Sequence, residues 1–173
     1  MTESSKVVVT PQHFGAMVWE LSTKFTLEFS KAFPVPASSR EEINARVVEI
    51  LSLHLWIALK TLGTEEGAAL DELHRLFLES VSRDLMPGVA LPDLKARLLS
   101  RYDAYYKAWK DQDGGTLQQD FVVEAQRGLF ADPKTGFDPI QCVHFLTWVL
   151  GAMAAILKMR GDAAIRPTDT RSQ

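Results

Sequence analysis

The side chains with the widest chemical scope in this chain of 173 residues are its four histidines, His13, His54, His74 and His144, and its single cysteine, Cys142. His54 and His144 each lie in a stretch without charge, so the two imidazoles could approach one another and grip a metal or a haem. The ligand count argues against it. Di-iron bundles use inward carboxylates with a Glu-x-x-His pair from each of two helices, and this sequence has none. Its nearest approach is Asp71-x-x-His74, on the polar side of a helix. Cys142 and His144 alternate instead of sharing a helical face, which makes the cysteine a buried structural thiol. No Gly-x-Ser-x-Gly elbow is present, and Gly114-Gly115 lacks the strand and lysine of a phosphate loop. The reading is two core histidines, no cofactor, no metal and no catalytic residue. One alternative stays open: His54, Trp56, His144 and Trp148 lining a pocket between the second and sixth helices for a small apolar ligand, haem or metal.

A chain of this length fits one domain and buries roughly 70% of its unfolded surface without staples. The net charge of -3 and pI near 5.8 argue against a nucleic-acid partner, which calls for a basic face. A lone cysteine implies a reducing compartment, and the first residues, MTESSKVVVTPQ, lack the apolar run of a secretory signal. The expected location is the cytoplasm.

The stretch around which the other elements are expected to pack is Pro139 to Met159. It has no charged side chain before Lys158. A helix apolar on nearly every face must be covered on every face, by helices or by lipid. Gln141, His144 and Thr147 within it, and amphipathic partners elsewhere, favour a central bundle helix over a transmembrane span. Those partners follow in order. Thr10-Pro11 opens a helix carrying Phe14, Val18, Leu21, Phe25 and Phe29, which ends near Phe33 before Pro34-Val35-Pro36. Ser39 and Glu42 form a capping box for a second helix, whose Ile50–Leu59 half has no charge; Gly63 stops it and Thr64 caps the next. A third runs from about Glu65 to Met86, a fourth from about Pro92 to Asp111, and a fifth from Thr116 to Phe130. Asp138-Pro139 begins the sixth. Residues 1–9 read as a flexible arm, with Val7-Val8-Val9 the one extended segment, and 161–173 as a flexible tail. The sum is an all-α, single-domain bundle over residues 10–160, about six helices around a hydrophobic C-terminal helix.

Tyr102, Tyr105, Tyr106 and Trp109 recur at helical spacing, which more often marks core than a stacking platform. The apolar loop Met86–Leu91 and the basic strip beside it offer a mixed edge, with Met86, Val89, Leu91, Lys95, Arg97 and Arg101 as candidate partner contacts.

From about Ile43 to Leu157 the order of pieces resembles the ubiquinol–cytochrome c chaperone family. Three places carry the likeness: Leu53-His54-Leu55-Trp56, Asp84 followed by Gly88-Val89, and Tyr102-Asp103. The family's lysine-rich stretch after Gly-Val is only partly echoed, by Lys95 and Arg97. The resemblance implies an all-α, cofactor-free assembly factor that binds a nascent membrane protein. The expected function is therefore non-catalytic: a helical protein that binds another polypeptide, as an assembly factor or as a homodimer.

Overall fold

The computed structural model describes residues 6–34, 37, 39–109, 118–130 and 136–166. The helices are α1 Pro11–Ala32, α2 Arg40–Leu62, α3 Gly67–Ser80, α4 Leu91–Ala108, α5 Gln119–Leu129 and α6 Pro139–Asp162. The fold is all-α. Only a 3-10 turn, Gly63–Glu66, separates α2 from α3, so Arg40–Leu85 is one helical run bent at Gly63. Gly63 takes φ 64°, a left-handed conformation that glycine adopts without steric cost. Thr64, expected to cap the third helix, falls inside that turn, and the start of α3 has no side-chain cap.

Caps elsewhere follow the residues. Thr10 accepts from the His13 N–H at 3.1 Å, and Ser39 from the Glu42 N–H at 3.1 Å. Asp138 accepts from the Gln141 N–H at 2.8 Å while the Gln141 side chain accepts from the Asp138 N–H at 3.0 Å, a full capping box. A π turn, Val81–Leu85, extends α3 and closes with the Met86 N–H on the Val81 carbonyl at 2.7 Å. The Val35-Pro36 breaker, the Thr116 cap, the break at Gln112–Gly115 and the turn from Ala131 to Thr135 lie outside the described residues.

Two findings depart from the sequence reading. The first concerns the ends. Val7–Val9 (β1) pairs in parallel with Ala163–Ile165 (β2), Val8 opposite Ala164, and the Arg166 N–H reaches the Val9 carbonyl at 2.9 Å. Val9 and Ala163 enter the core from this ribbon. The arm and tail are therefore joined over these residues where two loose ends were expected.

The second concerns the centre. Every residue from Val48 to Ala58 on α2 is buried, and α2 packs on α1, α4, α5 and α6. By contrast α6 buries one stripe, Phe145, Val149, Ala152 and Ile156. The run Arg40–Leu85 and the helix α6 each contain an apolar window long enough to cross a membrane, yet the first window is 67% buried and the α6 window 22%. The helix enclosed on all sides is α2, not the C-terminal one. Around it one hydrophobic cluster draws residues from α1 through α6.

Candidate functional site

The buried residues of α1 include Phe14, Val18, Ser22, Phe25 and Phe29, and of these Ser22 and Phe25 meet His54 on α2. Ser22 occupies the place the sequence reading gave to Leu21. Its hydroxyl donates to the Val18 carbonyl at 2.9 Å. With its one proton spent there, the oxygen accepts from Nδ1 of His54 at 2.8 Å. His54 is thereby held as the Nδ1–H tautomer, and its Nε2 lone pair is left bare. That Nε2 is buried and has no hydrogen-bond partner among the described residues. The imidazole is fully buried, its ring 4.7 Å from that of Phe25, and burial holds its pKa down to about 3.

A groove of about 440 Å³ lies over this histidine, between α1 and α6. Phe25 and Trp148 meet edge to face at 5.7 Å in its wall, and Gly151, Ala152 and Ala155 leave it open along α6. Lys24 and Glu28 stand on the α1 side. The structure thus brings together two members of the sequence-predicted pocket, His54 and Trp148.

The other two lie elsewhere. Trp56, two residues from His54 and so about 200° around the helix, is buried on the far side of α2 among Tyr105, Tyr106, Trp109 and Phe121. His144 is exposed on α6 and does not line the groove. A haem or metal gripped by both imidazoles does not match this placement. Among the described residues no three His, Cys, Asp or Glu side chains gather where they could hold a metal ion. His74 bonds through Nε2 to the Tyr102 hydroxyl at 2.9 Å, and the half-buried Cys142 sits against the Phe137 carbonyl and the Gln126 amide.

On α4 and the loop before it the candidate partner contacts divide. Val89, Leu91, Lys95 and Arg97 are exposed, and Met86 is half-buried against the core, its sulfur 3.8 Å from an Arg97 guanidinium nitrogen. Arg101 is a correction. Its side chain is 17% exposed and faces inward, Nε on Glu49 Oε1 at 2.6 Å and Nη1 on Glu124 at 2.6 Å. The Tyr105 hydroxyl donates to the same Glu49 oxygen at 2.6 Å. Burial, and then the Glu49 charge, push that phenol well above its ordinary range. With these two donors from α4, Glu49 is the one acid carried by the buried centre of α2.

The outer face of α6 is the largest departure. Ile140, Val143, Thr147, Leu150, Ala154 and Leu157 recur at alternating steps of three and four, and the helix's buried stripe lies on the opposite side. Ile140 is 68% exposed, and Val143, Leu150 and Leu157 are each more than half exposed. A sequence scan for heptads in this window would have found the pattern, but not that it faces outward.

Comparison of the chain with models of protein families, with curated proteins and with solved structures finds no match.

Proposed function

We propose that this chain is a non-catalytic helical protein, a single-domain bundle of six helices, that works by binding another polypeptide along the outer face of α6. One observation carries the reading: an apolar stripe of coiled-coil spacing on a long helix, exposed among the described residues. Such a seam holds the knobs that a facing helix receives. Exposed apolar tracts of this kind mark association surfaces.

The occupant that the pattern fits best is a second copy. The spacing is the same read from either end, so antiparallel pairing about a two-fold axis sets Ile140 against Leu157, Val143 against Ala154 and Thr147 against Leu150. That pairing also brings Lys158 beside Asp138 of the second copy and opposes the two helix dipoles. Net charge -3 supports neither a nucleic-acid nor an anionic-lipid partner. This is a cytoplasmic assembly factor or homodimer in which α6 meets protein and does not span a bilayer.

Sedimentation velocity on the full chain tests it. Wild type should run as a dimer at micromolar concentration, and Leu150→Asp as a monomer with unchanged helical circular dichroism. A wild-type monomer at every concentration overturns the reading, and so does quantitative recovery with detergent-extractable membranes.

A further inference from the structure

We propose that the groove between α1 and α6 is a binding site for a small, flat, largely apolar molecule bearing one N–H or O–H donor, which the bare Nε2 of His54 accepts. The groove adjoins the α6 docking face at Thr147, but its remaining α6 wall, Trp148, Gly151, Ala152 and Ala155, lies outside that stripe.

Three observations carry it. The first is the orphan acceptor. A buried polar atom without a partner costs roughly 1 to 3 kcal/mol, and Nε2 of His54 is such an atom, on a residue that lines the groove. Ser22 sets it up, since the tautomer that satisfies Nδ1 leaves Nε2 able only to accept. The imidazole stays neutral at physiological pH because burial depresses its basicity, so the lone pair is available.

The second is the surroundings. The groove's polar side chains other than His54 are Lys24 and Glu28 on the α1 side and Thr147 on α6. The Thr147 hydroxyl donates its proton to the Val143 carbonyl at 2.9 Å, and Phe25, Trp148, Ala152 and Ala155 make the rest of the wall apolar. A largely apolar ligand with a single donor suits that lining.

The third is shape. The groove's volume of about 440 Å³ falls within the range of small-molecule sites. It is kept open at Gly151, where an added Cβ would meet nothing within 4 Å. Aromatic walls at Phe25 and Trp148 favour a planar guest.

Indole and its isostere benzofuran, which replaces the N–H donor with an oxygen, are the probes. Each is titrated into the full chain while the Trp148 side-chain and His54 ring signals are followed by NMR. Indole should bind saturably, about tenfold tighter than benzofuran, the worth of one net hydrogen bond. His54→Leu should erase the preference. Gly151→Leu, whose added Cβ starts in open space, should abolish binding of both probes. Equal affinities, a preference for benzofuran, or no saturable shift with either probe would overturn the proposal.

Discussion

Arg101 on α4 donates its Nε–H to Oε1 of Glu49 on α2 at 2.6 Å, and both side chains are withdrawn from solvent, 17% and 4% exposed. The pair joins helices 52 residues apart in sequence, and Tyr105 and Glu124 complete it. Gly128 on α5 belongs to the same contact: a Cβ there would collide with the Glu49 carboxylate. A side chain at position 128 would have to displace that carboxylate from Arg101 and Tyr105.

Removing one partner of a buried ion pair leaves the other charged and unsolvated. Arg101→Ala should therefore cost roughly 3 to 5 kcal/mol, while Tyr105→Phe, which deletes one hydroxyl donor, should cost about 1 to 3 kcal/mol. Urea unfolding of both variants checks the order. If Arg101→Ala were the milder change, Arg101 would be free for an outside partner after all.

His54 makes stability depend on pH. Its folded pKa of about 3 lies below the unfolded value near 6.5, so on acidification the unfolded chain takes up a proton that the folded chain refuses. Its contribution is fully present above about pH 6.5 and drains away at roughly 1.4 kcal/mol per pH unit down to about pH 3. Burial lowers His74 as well, and its effect has the same sign. Unfolding free energies at neutral pH and near pH 5 should fall more steeply for wild type than for His54→Leu. Parallel slopes would place the imidazole in water.

Two glycines in helices should respond in opposite directions. A Cβ on Gly15 would run into the Ala69 carbonyl oxygen and lie 2.9 Å from Cβ of Glu72, because α1 crosses α3 there backbone against backbone. Gly15→Ala should lose about 1 to 3 kcal/mol through that clash, although alanine is the better helix former. Gly151→Ala meets nothing and should gain up to about 1 kcal/mol. Thermal melts of the two variants would give the signs.

Polar replacement on the α6 stripe should leave the isolated fold intact. Val143→Gln and Leu157→Gln touch side chains more than half exposed, so each should shift monomer stability by less than about 0.5 kcal/mol. Larger losses that grow with protein concentration would report the dimer seam itself, and chemical denaturation over a dilution series separates the two.

Much of the helical framework was legible because it rests on local rules. Thr10, Ser39 and Asp138 accept from the N–H three residues on, and Gly63 bends the chain through a positive φ. Those interactions involve neighbours in sequence, so residue types alone announce them. The same locality misled at Thr64, where the helical run simply continues. Tertiary structure decided which of two charge-free helices is central. Ile50–Leu59 and Ile140–Leu157 look alike as strings, but only the first is ringed by helices. It also decided that His54 and Trp56 face opposite sides of α2, that Arg101 turns inward, and that Val7–Val9 has a strand to join. The physical reason is common to all four. Hydropathy states how much a segment gains from being covered, whereas which neighbour covers it depends on contacts between residues far apart along the chain.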